Sequence, residues 1–307
     1  MRTPAKLATY AAVLAIVVGG GAGIGAAAGP VDVSDDDDDH EVHAAEAGPA
    51  EPGDEAVAAR LPAGLAVAQD GYRLEVGDTS LEREVPGELR FRVVDDAGTA
   101  VTRFAVEHEK RLHLVVVGRN LVDYAHLHPT LGADGTWRVD LPALPAGSYR
   151  AFADFRPTGA DALTLGVDLT VAGPAVAADP PAPSRQVTVD GYDVTVDGDV
   201  RPGESELAFT VARDGRAVRT DPYLGAAGHL VAIRDGDLAY LHVHPLDGEG
   251  GEVRFAAELP SPGAYRLFLD FAHDGRVHTA AFTVEVPAAT DSPPTSPPGA
   301  GDDHESH

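Results

Sequence analysis

Two stretches of this chain, LHLVVVGRNLVDYAHLHP (residues 112–129) and GHLVAIRDGDLAYLHVHP (residues 228–245), align without a gap at an offset that carries His113 onto His229. Each places turn-forming residues between two runs rich in Val, Ile, Leu and Tyr, the pattern of a β-hairpin. Asp235-Gly236 is a strong signal for a two-residue type I′ turn, and Arg119-Asn120 stands in its place in the first copy. On such turns His113 lies directly opposite His126, and His229 opposite His242. Directly opposed side chains share a face, with Cβ atoms about 4.5–5.5 Å apart. His128 and His244, two residues further on, share that face about 7 Å along the strand. The spacing therefore predicts a three-imidazole cluster in each repeat. A three-residue loop or a bulge would shift the register by one and scatter the rings.

Working outward, the repetition extends well beyond the hairpins. DGYRLEV begins at Asp70 and DGYDVTV at Asp190, and the same offset carries Tyr149, Arg150, Phe152, Asp154 and Phe155 onto Tyr265, Arg266, Phe268, Asp270 and Phe271. Alternation has a period of two, as in Trp137-Arg138-Val139-Asp140-Leu141, and Asp-Gly or Pro-Gly turn signals punctuate it. The expected fold is all-β: two tandem immunoglobulin-like β-sandwich domains, at residues 69–172 and 186–287. Phrases running from Pro145 to Arg150 and from Pro262 to Arg266 resemble the entry to a late strand of immunoglobulin-like domains. Trp137, which has Val253 at the equivalent place, is expected in the core.

The flanks differ in kind. Arg2 and Lys6 precede an uncharged stretch from Leu7 to Gly29, long enough for a bilayer and also rich in the small residues of a signal peptide. Residues 1–30 are thus read as a signal peptide or a single transmembrane helix, with the acidic remainder exported. Residues 31–68 form an acidic linker containing Asp35 to Asp39, residues 173–185 a Pro-rich linker, and residues 288–307 a tail. The expected location is extracytoplasmic, anchored to the envelope or secreted, with membrane contact only through the N-terminal segment.

Composition removes many functions. The net charge of −26 repels nucleic-acid phosphate and anionic lipid. The absence of cysteine excludes disulfides, thiolate catalysis and iron–sulfur clusters, and Met1 is the sole methionine. No Gly-x-Ser-x-Gly elbow, His-Glu-x-x-His helix or P-loop is present, and the chain is not expected to be an enzyme. Neutral imidazoles converging on one point suit Cu(II) or Zn(II). The candidate ligands are His113, His126 and His128 in the first repeat and His229, His242 and His244 in the second. Asp154, Asp270, His108, His273 and His278 are candidates for further ligation or for orienting a ring. Two other readings of these residues stand beside this one. Histidines also pair by hydrogen bonds in a core, and Asp154 and Asp270 also suit salt bridges to Arg150 and Arg266. Tyr124 and Tyr240 read as packing groups.

The phrases EHEKRLHLVVV, YAHLHP, SYRAFADF, GDLAYLHVHP and YRLFLDF make the chain similar to an uncharacterised family of exported two-repeat, HxHP-containing proteins of high-GC bacteria. That resemblance covers residues 70–287 and implies an envelope protein, in some members tied to heavy-metal handling. A more distant resemblance is to CopC-type and YtkA-like periplasmic metal-associated domains, whose N-terminal histidine and Asp-x-His motif have no counterpart here. Two functions follow as expectations. One is a metal-binding module for buffering or delivery, with the ion as partner and another envelope protein as recipient. The other is an adhesion or protein-interaction module whose histidines are structural.

Overall fold

The computed structural model describes residues 62–175, 181–241, 243–248 and 251–288. The N-terminal apolar stretch, most of the acidic linker, His242 and the C-terminal tail lie outside the described residues. Among the described residues there is no helix, and hence none long and apolar enough to cross a membrane.

The two-residue alternation is realised as ten strands in each repeat. The first holds β1 (Ala68–Gln69), β2 (Tyr72–Val76), β3 (Ser80–Leu81), β4 (Gly87–Asp95), β5 (Leu112–Gly118), β6 (Tyr124–Leu127), β7 (Thr130–Leu131), β8 (Trp137–Leu141), β9 (Gly147–Phe155) and β10 (Leu163–Val171). These form two sheets, β1-β2-β4-β8-β7 and β3-β10-β9-β5-β6. The second repeat holds β11 (Gln186–Val189), β12 (Tyr192–Asp197), β13 (Gly203–Arg213), β14 (Arg216–Ala217), β15 (His229–Arg234), β16 (Tyr240–Leu241), β17 (Val243–Leu246), β18 (Val253–Leu259), β19 (Gly263–His273) and β20 (Arg276–Val286). Its sheets run β11-β12-β13-β18-β17, with β14 on β13, and β16-β15-β19-β20. Each repeat is an immunoglobulin-like sandwich with its own core. Phe91, Leu114, Trp137 and Phe155 belong to the first core, and Phe209, Phe255, Phe271 and Phe282 to the second. Trp137 is buried where the sequence places it, stacked near Phe91 with Phe104 edge-on.

The Pro-Gly-Tyr phrases act as tyrosine corners. Tyr149 Oη donates to the Pro145 carbonyl at 2.9 Å, and Tyr265 Oη to the Ser261 carbonyl at 2.7 Å. Both rings are buried, so removing either hydroxyl orphans a carbonyl at the entry to β9 or β19. Tyr149→Phe and Tyr265→Phe are each expected to cost about 1 kcal/mol, a fall in Tm of roughly 2–4 °C in calorimetry.

A third apolar cluster belongs to neither core. Val115, Val117, Leu121 and Phe152 of the first repeat meet Val231, Ile233, Leu238, Tyr240 and Phe268 of the second. The second face of the β5–β9 sheet therefore packs on its counterpart from β15–β19, which accounts for hairpins that are apolar on both sides. Tyr124 stacks on Phe268 with centroids 4.0 Å apart, and Phe152 meets Tyr240 at 5.3 Å. Residues preceding the first repeat are laid along the same seam: Gly64 N–H donates to Thr164 O, Gly166 N–H to Ala66 O, and Tyr240 N–H to Ala63 O, each at 2.9 Å. A Cβ on Gly166 would sit 2.0 Å from the Gly64 carbonyl, so only glycine admits this segment.

The hairpin register departs from the two-residue turns. Val115, not His113, is the partner of His126, and Ile233 pairs with Tyr240. Each loop has four residues, closed by Gly118 N–H to Asp123 O and by Arg234 N–H to Ala239 O. Side-chain oxygens take loop donors that a tight turn would have used: Asn120 Oδ1 accepts from Val122 N–H, and Asp237 Oδ1 from Ala239 N–H. Leu121 and Leu238 adopt positive φ, 57° and 60°, and are buried in the seam. A left-handed leucine costs about 1–2 kcal/mol and its burial contributes about 1.5–3 kcal/mol, so burial prevails. The register moves by two, an even number, and the histidines of the first repeat stay on the predicted face.

Candidate metal centre

His113 on β5, His126 on β6 and His128 just beyond β6 converge, with centroid separations of 5.3 Å (His113–His126), 5.2 Å (His113–His128) and 4.8 Å (His126–His128). The second repeat's cluster, as read from its spacing, includes His242, which lies outside the described residues, and His229 is not confined to its own repeat. His229 crosses the seam instead, stacking on His113 at 5.2 Å and on His126 at 4.7 Å. Candidate ligand nitrogens of His113, His126 and His229 all lie within 4.8 Å of one another. His108 completes the group, 6.1 Å from His113 and 5.6 Å from His229. Its position comes from a tight turn, with reciprocal hydrogen bonds between Glu107 and Lys110 and positive φ at His108 and Glu109. The second repeat has the same turn at Tyr223–Ala226, but there Leu224 replaces the histidine, and the centre is asymmetric.

Among the described residues, His244, His273 and His278 hold other positions. His244 lies on β17, which has left the hairpin's sheet to pair with β18, because the chain changes sheets after β16. It is exposed and lines a cleft of about 190 Å³ beside the centre, with Glu107, His108, His113 and Asp154. His273 and His278 belong elsewhere. His278 pairs with Phe271 in the register, one residue out of phase with Asp270, and so projects from the opposite face of the sheet. There it contacts Asp190 at 2.7 Å, while His273 Nδ1 meets Tyr192 Oη at 2.9 Å. The arginines do not pair with the two aspartates. Arg150 binds Asp168 and the carbonyls of Gly64 and Leu65, and Arg266 donates to Leu121 O and Thr283.

The two aspartates hold equivalent places: Asp154 is the register partner of His113, and Asp270 of His229. Each accepts from a threonine on the next strand, Thr164 at 3.1 Å and Thr279 at 2.6 Å. Asp270 is buried and accepts across the seam from His126 Nδ1 at 2.8 Å and from Tyr124 Oη at 3.4 Å. That link between repeats has no sequence-level signal beyond the repeat itself. Burial pushes the Asp154 carboxyl up to about 6, with nearby Glu107 adding to the effect against the Thr164 hydrogen bond.

Proton placement decides what the centre can do. Asp270 accepts from the Nδ1–H of His126, and the far nitrogen of that ring, Nε2, points at His113. The Glu107 carbonyl, 3.2 Å from His113 Nε2, likewise requires a proton there and leaves a lone pair on His113 Nδ1. His113 Nδ1 and His126 Nε2 meet at 3.1 Å, so one proton between them makes a hydrogen bond, and a metal ion there would take both nitrogens. Burial, foremost, and the neighbouring rings push the His113 pKa down to about 3, so its Nδ1 is an acceptor at neutral pH. His128 is held down to about 4 by burial and by His126, and burial holds His229 well below the ordinary range. His128 Nε2 is buried without a hydrogen-bond partner. The donor set fits a divalent transition ion: nitrogens at 2.0–2.1 Å from a tetrahedral ion lie about 3.3 Å apart, close to the spacing of the facing pair. Two rings are oriented by an acceptor on their far nitrogen, as metal-bound imidazoles are.

Fold and centre together define a two-repeat, immunoglobulin-like sandwich protein with a histidine cluster at the seam between its repeats. The chain belongs to the family described as Domain of unknown function (DUF8832), whose model matches residues 66–173 and again 187–288. No curated protein sequence matches it. Among solved structures it is similar to a DUF4426 family protein from Pseudomonas aeruginosa (12% identity, 34% of this chain and 96% of that one, TM-score 0.27). It is also similar to the Escherichia coli adhesin FdeC (14% identity, 73% of this chain and 66% of that one, TM-score 0.24). A third likeness is to the Yersinia pseudotuberculosis adhesin InvE (14% identity, 69% of this chain and 58% of that one, TM-score 0.22). This chain spans just under two thirds of the FdeC chain and less of the InvE chain.

Proposed function

We propose that this protein binds one Cu(II) or Zn(II) ion per chain at the seam between its repeats, outside the cytoplasm, for metal buffering or delivery. The observation that carries this reading is the convergence of His113, His126 and His229, whose candidate ligand nitrogens lie within 4.8 Å of one another, with two of the rings oriented by acceptors on their far nitrogens. The unpartnered His128 Nε2 supplies a further nitrogen of the same type. Export rests on the basic and then apolar N-terminal sequence. The role is binding rather than catalysis, since the sequence carries none of the nucleophile or hydrolase motifs sought in it. The cleft beside the centre, lined by Glu107, His108 and His244, offers an approach for the ion.

Elemental analysis of the purified protein, with titration of Zn(II) and Cu(II) into the chelated form, tests the proposal. One equivalent is expected, falling to none tightly held in His126→Ala/His229→Ala. Two equivalents, or tight binding that survives the double substitution, would refute a shared centre. No retained metal in any form would refute metal binding.

A further inference from the structure

Resting on that reading of the centre, we infer that the metal ion is also the clasp between the two repeats, so that metal occupancy and docking of the sandwiches control each other. The donors are divided: His108, His113, His126 and His128 come from the first repeat, and His229 from the second. Only the docked arrangement assembles them. Docking without the ion carries specific penalties, because it stacks His229 on His113 and His126 and leaves His128 Nε2 buried without a hydrogen-bond partner. Against these stand the apolar seam around Val231 and Phe268 and the His126–Asp270 bond. Separated repeats would rehydrate the imidazoles and lose that seam. The ion removes the penalties of the docked state alone, so it shifts the balance toward docking. By linkage, the factor by which the ion favours docking is the factor by which docking favours the ion, so a change that lowers the docked population lowers metal affinity. The connecting segment AGPAVAADPPAPSR (residues 172–185) is long enough to let the repeats part.

The full-length chain has no cysteine, so Asp161→Cys and Glu204→Cys place one dye on an exposed site of each repeat for single-molecule energy transfer. Chelation is expected to broaden the distribution and lengthen the distance, and one equivalent of Zn(II) to restore a single short one. In His229→Ala, Zn(II) should produce no such change. Val231 is buried in the seam and offers no donor, yet Val231→Asp should lower Zn(II) affinity on the order of tenfold or more. The milder Val231→Thr should lower it in the same direction, and circular dichroism checks that both variants stay folded. Zn(II) bound one to one, with an unchanged distance and unaltered affinity in both Val231 variants, would overturn the clasp and leave the binding site standing. Failure to bind Zn(II) at all would overturn both.

Discussion

In chelator, the protein is expected to lose about 4 kcal/mol of stability between pH 6.5 and pH 4. Well above pH 6.5 His113, His128 and His229 are neutral in both the folded and the unfolded chain and contribute no pH dependence. Below it the unfolded histidines take up protons, while in the folded chain His113 stays neutral down to about pH 3 and His229 lies well below its ordinary range. Stability therefore falls by about 1.4 kcal/mol per pH unit for each such ring. The more exposed His128, held at about 4, adds a smaller share. Asp154 works in the opposite sense: its raised pKa of about 6 lets the folded chain gain a proton there that an unfolded aspartate takes only near 3.9. The decline should begin gently near pH 6.5, where the unfolded rings are half protonated, and reach its full slope by about pH 5.5. Losing 4 kcal/mol from a total of roughly 5–15 kcal/mol is readily measured by urea unfolding at several pH values. A flat profile from pH 8 to pH 5 would refute the buried neutral cluster. Zn(II), binding only the folded state, should raise the whole curve above pH 6 and lose its effect as protons compete for the imidazoles.

Asp270→Ala should be the most damaging single change at the centre. It removes a buried acceptor that serves His126, Tyr124 and Thr279 and ties one repeat to the other. Three donors lose their partner in a site too closed for water to replace it fully, a loss of about 3–5 kcal/mol. The corresponding fall in Tm is roughly 10 °C or more by calorimetry. Asp154→Ala, whose carboxylate accepts from Thr164, should cost only about 1 kcal/mol. The contrast between equivalent positions is the diagnostic feature. Asp270→Asn preserves shape but weakens the hold on the His126 tautomer, and metal affinity should drop roughly 10–100-fold. An Asp270→Ala protein melting within a degree or two of the parent would show that the seam does not depend on this bond.

Much of the architecture was legible from pattern alone. Period-two alternation and the repeat lead to two sandwiches, and the phrases from Pro145 and Pro262 mark the entry to late strands, where the structure adds the tyrosine corners of Tyr149 and Tyr265. The loop length was not legible, since Asn120, Asp237 and the two buried leucines outweighed the turn preference of Asp-Gly. His108 entered only as an accessory residue, because its place depends on a turn whose second-repeat counterpart carries Leu224. The extended face of Val115, Val117, Val231 and Ile233, apolar where a solvent-facing sheet would be polar, was the available sign that the two hairpins meet.

Parity along a strand is a local property, so the sequence by itself determined that His113, His126 and His128 share one face, and an even change in loop length left this intact. What covers that face is a long-range matter. Only the tertiary structure decided that the two histidine faces are pressed together, that His229 joins the first repeat's rings, and that Asp270 reaches across to His126. The physical reason is that side-chain alternation specifies direction, whereas the choice of packing partner depends on apolar surfaces more than a hundred residues apart finding each other.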